Sequence, residues 1–245
     1  MNCLVTGSGK GIGKAIALEF ASHGCNVAVN YSHSEAKAKD TVLEAQKKGV
    51  KAVAIKADVS DEKQSKFLVE KAFESFGPID FLVNNAGVYA KKPGTPFYEL
   101  SLGEWDEVMA VNAKGMFLVS KFAAKKMIDA KTRGSIVNIS SISGLDSSMA
   151  GAHYCASKHA VIGLTKTMSA ELGKFGIRVN SIAPGAVETD LLADVPESKK
   201  ESMRLQTPLL KLSTVEDIAK AAYALASLEN VSGQTLVVDG GRLKH

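Results

Sequence analysis

Short runs rich in valine, isoleucine and leucine alternate along the chain with longer segments of helical period. The short runs predict strands at residues 3–6, 26–30, 52–57, 81–84, 135–140, 178–183 and 235–239. The longer segments predict helices at 12–23, 36–48, 63–76, 105–130, 154–174 and 215–228. Parallel strands joined by right-handed crossovers alternate with helices in this way. We therefore predict one α/β domain over residues 1–245, a Rossmann-type doubly wound parallel sheet of about seven strands with helices on both faces.

The stretch 188–212 breaks this alternation because it is polar, charged and punctuated by proline. A short helix is predicted within it, around residues 197–205. Segments that cover ligands are drawn from such weakly apolar insertions, so we expect 188–212 to be a substrate lid. An ordinary surface excursion is the alternative interpretation.

The composition fits a packed globular protein, with 45% hydrophobic and 23% charged residues among 245. The formal charge of +4 comes from scattered basic residues, so no nucleic-acid partner is expected. Three widely spaced cysteines predict neither a disulfide framework nor a metal site. The chain opens without a signal-like segment, and no apolar run reaches about 18 residues. We expect a cytoplasmic protein that does not cross a membrane.

A glycine-rich run follows the first predicted strand and opens a helix. Glycines there let the backbone turn tightly and approach a pyrophosphate, which the free N–H groups and the positive end of the helix dipole stabilise. The alternative is a plain strand-to-helix turn, but the position after strand one favours a dinucleotide. The residues of this predicted cofactor loop are Gly7, Ser8, Gly9, Lys10, Gly11, Ile12 and Gly13.

The end of the second predicted strand bears on which dinucleotide binds. An NAD site usually presents an acid there for the adenosine ribose, whereas a carboxylate would repel the 2′-phosphate of NADP. Here the chain reads Asn30-Tyr31-Ser32-His33, and the first acid is Glu35. Lys10 and the hydroxyl of Ser32 could face a phosphate, so NADP(H) is favoured over NAD(H). In the alternative interpretation Lys10 is a solvated loop cation.

Tyr154 and Lys158 are four residues apart in a predicted helix, which places both side chains on one face. A free phenol has a pKa near 10, and a neighbouring ammonium lowers it toward the range of a general acid or base. The same spacing is common on solvated helix faces. Ser141 follows the predicted strand 135–140, and Asn84-Asn85-Ala86-Gly87 stands at the end of the predicted strand 81–84. Because ligands of such sheets bind at the carboxyl ends of the strands, both segments are expected to border the ligand site.

Asn112 is a polar residue among apolar neighbours in the predicted helix 105–130. A buried amide needs hydrogen-bond partners, so this side chain is either functional or a structural asparagine that distorts the helix. His153 and Cys155 flank Tyr154, but neighbours on a helix point about 100° away, which favours packing or subunit contact over chemistry.

In combination these motifs resemble the short-chain dehydrogenase/reductase family over nearly the whole chain. The matching motifs are Thr6-Gly7-x-x-x-Gly11-x-Gly13, Asp58, Asn84-Asn85-Ala86-Gly87, Asn112, Ser141, Tyr154-x-x-x-Lys158 and Pro184-Gly185 followed by Thr189. The resemblance implies that Asp58 and Val59 hold the adenine and that Asn85, Ala86 and Gly87 line the adenosine side. It also implies that Thr189 contacts the nicotinamide carboxamide. Pro184, Gly185 and Val187 join the implied cofactor site, together with Asn30, Ser32, Tyr154 and Lys158.

The implied reaction is hydride transfer between the cofactor and a carbonyl or secondary alcohol. Tyr154 would be the general acid, and Ser141 would hold the carbonyl oxygen. Lys158 would lower the pKa of the tyrosine and bind the nicotinamide ribose. Asn112 would position a water that links Lys158 to solvent.

The substrate stays open between two classes at this point. The chain is most similar to 3-oxoacyl-carrier-protein reductases, through 154–167 and 178–185, which favours an acyl-thioester carbonyl and fatty acid biosynthesis. The loop 88–102 is longer than in those reductases, and Phe175 stands where a basic residue for an acidic carrier is expected. Sugar and polyol dehydrogenases share the longer loop, so a sugar or small ketone is the alternative.

A dinucleotide-binding regulator without catalytic activity is the alternative of another class. The presence of Ser141, Tyr154 and Lys158 counts against it.

The helices predicted at 105–130 and 154–174 carry apolar residues on more than one face. Together with the resemblance, this predicts a homotetramer, with the C-terminal segment 237–241 near a second interface.

Overall fold

Seven parallel strands form one sheet in the order β3-β2-β1-β4-β5-β6-β7. The computed structural model describes residues 1–189, 192 and 195–243. The strands are β1 (Asn2–Val5), β2 (Asn26–Tyr31), β3 (Ala52–Lys56), β4 (Phe81–Asn84), β5 (Ser135–Ile139), β6 (Arg178–Pro184) and β7 (Thr235–Val238). All seven predicted strands are confirmed, with ends that differ by one residue at most. The predicted doubly wound fold is confirmed as well.

Helices connect successive strands and cover both faces of the sheet. They are α1 (Gly11–Ser22), α2 (Glu35–Gln46), α3 (Glu62–Phe76), α4 (Leu102–Met109), α5 (Met116–Asp129), α6 (Ala152–Leu172), α7 (Glu197–Leu205) and α8 (Val215–Ser227). One apolar cluster packs α1 and α8 on one face, around Phe20 and Ile218. A second packs α3 and α5 on the other, around Leu68 and Met127. No helix among the described residues is long and apolar enough to cross a membrane.

The prediction of one continuous helix over 105–130 was wrong. The helix begins earlier, at Leu102, where Ser101 accepts a hydrogen bond from the Glu104 amide as its N-cap. It then passes through a π-helical turn, Ala110–Gly115, before continuing as α5. Asn112 lies inside this turn and is buried. π turns are rare insertions into α-helices and occur often at functional sites.

The strand order reverses beside β1, whose neighbours β2 and β4 lead to opposite halves of the sheet. Val5 of β1 aligns with Val83 of β4, and Asn84 aligns with Asn138 of β5. The residues that follow these strands therefore emerge side by side at the carboxyl edge. This edge is where ligands of open α/β sheets bind.

Candidate active site

The glycine loop after β1 is shaped by close backbone contact. Gly7 has a φ of +61°, and a Cβ there would lie 2.9 Å from Cα of Ala86. At Gly13 a Cβ would collide with the side-chain nitrogen Nδ2 of Asn85 and with the Gly7 carbonyl oxygen. A side chain at either position would separate the loop from the end of β4, so glycine is required at both.

Thr6 joins the loop to the segment after β4. Its hydroxyl oxygen accepts hydrogen bonds from the amides of Asn85, at 2.9 Å, and Ala86, at 3.0 Å. In return, Nδ2 of Asn85 donates to the carbonyl oxygens of Thr6 and Gly7, both at 3.0 Å. The sequence motif includes Thr6 but predicts no contact for its hydroxyl, although its position at the strand end, before the first glycine, places it next to the loop.

Ser8 and Asn30 support the loop from below. Both are buried, and the Asn30 amide accepts from the Gly7 backbone N–H at 3.1 Å and donates to the Ala57 carbonyl at 3.0 Å. The Ser8 hydroxyl donates to the Val5 carbonyl and accepts from the backbone N–H of Asn30. The hydrogen bonds of both side chains go to other groups of the protein. Ser8 and Asn30 would therefore support a cofactor indirectly, by holding the glycine loop in place.

The N-terminus of α1 is left open for an anion. Its N-cap residue, Lys10, makes no side-chain capping bond, and no acid stands in the first turn. The Lys10 side chain is exposed and has no ion pair within the described residues. Four N–H groups of a helix start need partners, and a phosphate supplies them. Ser32 is also exposed, and its hydroxyl contacts Nδ1 of His33 at 2.9 Å.

Asp58 and Val59 follow β3, which is separated from β1 and its glycine loop by β2. One carboxylate oxygen of Asp58 accepts from the amide and the hydroxyl of Ser60, at 2.9 and 2.7 Å. The Val59 side chain is buried against Gly115, where a Cβ would approach it to 2.8 Å. The end of the π turn thus packs directly on the predicted adenine position.

Ser141 and Tyr154 meet at the carboxyl end of β5. The Ser141 hydroxyl accepts a hydrogen bond from the Ser143 amide at 3.1 Å and lies near enough to the Tyr154 phenol to affect its pKa. Burial raises the pKa of Tyr154 to about 12, and the neighbouring Ser141 hydroxyl opposes this rise in part. Without a bound cofactor, the phenol therefore stays protonated and can act as an acid.

Lys158 lies one turn further along α6 and is buried. Its Nζ donates to the Ile139 carbonyl at 2.9 Å and lies 5.7 Å from the centre of the Tyr154 ring. Burial lowers the pKa of Lys158 to about 8. The expectation that this ammonium lowers the pKa of Tyr154 is not met in the protein alone, where burial dominates. An ammonium has three protons, so Lys158 can donate two more to a ligand such as a ribose.

Asn112 reaches the same place from the π turn. Its Oδ1 accepts from the Val88 amide at 2.8 Å, and its Nδ2 donates to the Val88 carbonyl at 3.0 Å and the Ser157 hydroxyl at 3.1 Å. A Cβ on Gly87 would lie 3.2 Å from Oδ1 of Asn112 and 3.7 Å from Nζ of Lys158. Asn112 and Lys158 therefore border one small space beside Gly87. Sequence analysis missed Ser157 because its partner is distant in the chain.

The segment after β6 completes this edge of the sheet. Pro184 ends the strand, and a Cβ on Gly185 would approach Cβ of Asp239 to 2.7 Å. Val187 is buried, and Thr189 is half-buried across from Gly11 of the glycine loop, where a Cβ would lie 4.0 Å from Cγ2 of Thr189.

The predicted lid contains helix α7, which confirms the short helix at 197–205. Arg204 pairs with Glu197 at 2.6 Å and Glu201 at 3.1 Å, and lies 3.8 Å from Glu188 at the base of the segment. A cavity of about 650 Å³ lies between α7, α1 and α8. It reaches Gly11 and Thr189 but not Ser141, Tyr154 or Lys158. Residues 190, 191, 193 and 194 of the predicted lid lie outside the described residues.

Tyr89 lies beside Tyr154. The rings of Tyr89 and Tyr154 pack edge to face with centroids 4.9 Å apart. The longer loop continues from Tyr89 and rests on the segment before α6, where the Gly94 amide donates to the Met149 carbonyl at 2.8 Å. His153 is buried and Cys155 is half-buried, its thiol facing the Ser148 carbonyl.

Comparison with known proteins agrees with this geometry. A family model described as short chain dehydrogenase matches residues 1–200. A 3-oxoacyl-(acyl-carrier-protein) reductase from Staphylococcus aureus is 39% identical over 242 residues, covering 98% of this chain and 97% of the relative. An L-rhamnose 1-dehydrogenase (NAD(P)(+)) from Sphingomonas sp. is 38% identical over 242 residues, covering 97% and 94%.

Among solved structures, a 3-oxoacyl-(acyl-carrier protein) reductase from Brucella melitensis superposes with a TM-score of 0.90 at 36% identity. The match covers 99% of this chain and 91% of that one. Relatives of two substrate classes thus share the full length of the fold.

Proposed function

Because the chain belongs to the short-chain dehydrogenase family and is an NAD(P)-dependent oxidoreductase by that membership, we propose that it interconverts a carbonyl and a secondary alcohol with NADP(H). The observation that carries this proposal is the grouping of Ser141, at the end of β5, with Tyr154 and buried Lys158 on one face of α6, where Nζ of Lys158 lies 5.7 Å from the centre of the Tyr154 ring. A phenol, a hydroxyl and an ammonium in that order supply acid catalysis at one carbonyl oxygen.

Each residue has a separate task in carbonyl reduction. When bound, the cofactor supplies the hydride. Tyr154 donates its phenolic proton to the substrate oxygen, and Ser141 holds that oxygen by hydrogen bonding. Lys158 binds the nicotinamide ribose and stabilises the phenolate that remains. Asn112, which borders the space beside Gly87 together with Lys158, would position a water that links Lys158 to solvent, so that Tyr154 can be reprotonated.

The cofactor is held by the glycine loop and the strand ends around it. The open N-terminus of α1 suits the pyrophosphate, and Lys10 with Ser32 suits a 2′-phosphate. The chain presents no acid at the end of β2 to repel that phosphate. This supports NADP(H) over NAD(H).

For the substrate, we propose a 3-oxoacyl thioester. The support is the likeness, over almost the whole chain, to relatives named 3-oxoacyl-(acyl-carrier-protein) reductase. The matches between the sequence segments 154–167 and 178–185 and those reductases point the same way.

A sugar or polyol is the second candidate, and a specific feature favours it. The loop 88–102 is long, and its Tyr89 ring narrows the space beside Tyr154. A relative of similar identity is named for a sugar, L-rhamnose. A compact cyclic substrate fits beside that ring more readily than a thioester attached to a carrier protein.

One panel separates the candidates. Purified protein is assayed with 3-oxoacyl thioesters, small ketones, aldoses and polyols, each with NADP(H) and with NAD(H). Turnover of thioesters with kcat/KM at least about tenfold above the best sugar supports the first candidate, and the reverse ratio supports the second. The absence of turnover with every compound, together with tight NADPH binding, would support the non-catalytic regulator instead.

We also propose a homotetramer. Trp105 on α4 and Phe117 on α5 are partly exposed large apolar side chains, as is Leu236 on β7. Closed two-fold symmetric assemblies bury such side chains in matching pairs. Light scattering at micromolar concentration should give four times the chain mass, and a monomer would refute the assembly.

A further inference from the structure

Ser157 lies between the two catalytic residues of α6 and is completely buried. Its hydroxyl donates to the Tyr154 carbonyl at 2.8 Å and accepts from Nδ2 of Asn112 at 3.1 Å. These directions are unambiguous, since a carbonyl accepts and an amide nitrogen donates. One serine therefore connects the turn of Tyr154 and Lys158 to the π turn.

The Asn112 amide is held in one orientation by three hydrogen bonds. Both Nδ2 protons are used, one on Val88 and one on Ser157, and Oδ1 accepts from the Val88 amide. A flipped amide would place oxygen against the Val88 carbonyl and NH₂ against its N–H. Loss of the Ser157 hydroxyl would leave one buried Nδ2 proton without a partner, which destabilises the orientation of the amide.

The position of this amide matters because Asn112 borders the same space as Lys158. Oδ1 of Asn112 and Nζ of Lys158 both lie within 4 Å of the point where a Gly87 side chain would begin. A π turn is less regular than the helix around it and needs tertiary contacts to persist. Ser157 supplies such a contact from the chain position directly before Lys158.

We propose that Ser157 is a positioning residue of the reaction, which fixes the Asn112 amide relative to the Tyr154–Lys158 turn and so keeps open the proton path past Gly87. This inference rests on the proposed function. Ser157 touches neither substrate nor cofactor in this assignment and acts through Asn112. Its loss should therefore change proton return to Tyr154 more than cofactor binding.

The test compares Ser157→Ala with Ser157→Thr and with a matched control, Ser65→Ala. Ser65, on α3, is equally buried, and its hydroxyl donates to the Val59 carbonyl at 2.7 Å. Ser157→Ala should lower kcat about tenfold, leave the KM for cofactor within about twofold, and shift the apparent pKa of the kcat profile by at least about half a unit. Ser157→Thr, which keeps the hydroxyl, should recover most of kcat. Ser65→Ala should lower stability and leave the profile unchanged.

Two further measurements separate the possible failures. In an Asn112→Ala background, Ser157→Ala should cause no additional loss, since the serine acts through the asparagine. Hydrogen exchange at the Val88 amide, which needs no substrate, should be faster in Ser157→Ala than in wild type. The inference is overturned if Ser157→Ala has the same pH profile of kcat and the same Val88 exchange rate as wild type. It is also overturned if the kcat losses of Asn112→Ala and Ser157→Ala add in the double variant. If Tyr154→Phe retains full turnover, the proposed function fails, while the exchange result still tests the Ser157 contact.

Discussion

Lys158 donates a 2.9 Å hydrogen bond from its ammonium to the carbonyl oxygen of Ile139, the last residue of β5. The bond ties a buried charge on α6 to the sheet edge where Ser141 begins its turn. Since burial disfavours the charged form, the pKa of Lys158 falls to about 8. The ammonium of Lys158 is therefore held in place with one protein acceptor, and its remaining protons can serve the proposed contacts to a ribose and a phenolate.

Replacing Lys158 with methionine should weaken both cofactor binding and turnover, since the ammonium is assigned to the ribose and to Tyr154. We expect the Kd for NADPH to rise about tenfold or more and kcat to fall by at least about a hundredfold. Fluorescence titration and steady-state kinetics measure the two effects. The control is Lys166→Met, an exposed lysine on the same helix. Unchanged NADPH affinity in Lys158→Met would contradict the ribose assignment.

The lowered pKa of Lys158 also predicts how stability depends on pH. The folded value is about 8 and the ordinary value is 10.5, so the unfolded chain binds more protons between them. Stability of the cofactor-free protein should therefore rise with pH over this window, by about 1.5 kcal/mol between about pH 8 and about pH 9.5. Urea unfolding of wild type and Lys158→Met measures the difference. An equal pH slope in both proteins would show that Lys158 is not the group responsible.

Removal of the Tyr154 hydroxyl tests the general acid directly. Tyr154→Phe keeps the ring packed against Tyr89 and removes the proton. Turnover should fall by about 10² to 10⁴ with nearly unchanged cofactor affinity, because acid–base groups act mainly in the transition state. Tyr89→Phe is the matched control and should retain the acid–base chemistry. Turnover within threefold of wild type, with a deuteride isotope effect showing that chemistry limits the rate, would remove Tyr154 from the mechanism.

Ionisation of Tyr154 should depend on the oxidised cofactor. Burial holds the pKa of the phenol at about 12 in the protein alone, so phenolate forms only at high pH. The positive charge of bound NADP⁺ should lower this pKa, and alcohol oxidation should accelerate as pH rises through the lowered value. The phenolate absorbance of wild type minus Tyr154→Phe, with and without NADP⁺, measures both values. The same pKa in both states would exclude electrostatic activation by the cofactor.

Lys10 should set the preference for NADP(H). A charged contact to the 2′-phosphate is worth roughly 1.5–3 kcal/mol, so we expect kcat/KM with NADP(H) to exceed that with NAD(H) by at least about tenfold. Lys10→Met should remove most of the difference by weakening NADP(H) alone. The control is Lys48→Met, an exposed lysine beyond the far end of α2. An equal or NAD-favouring ratio in wild type would reject the assignment.

The sequence by itself determined the order of strands and helices and the strand bounds to within a residue, and it gave the site residues that are proposed here. Alternating strand and helix patterns are local, and a parallel connection needs a crossover, so the pattern constrains the topology strongly. The spacing of Tyr154 and Lys158 is also local, since four residues make one helical turn. A periodic pattern reports which side of an element is apolar, which is enough for these features.

Tertiary structure alone decided the interruption of the long helix and the partners of its asparagine. The pattern over 105–130 predicted a continuous helix, but Asn112 bonds to Val88, 24 positions away, and to Ser157, 45 positions away. The acidity of Tyr154 was decided in the same way, because desolvation depends on every element packed around the phenol. Such contacts exist only once the chain has folded, and no local period records them.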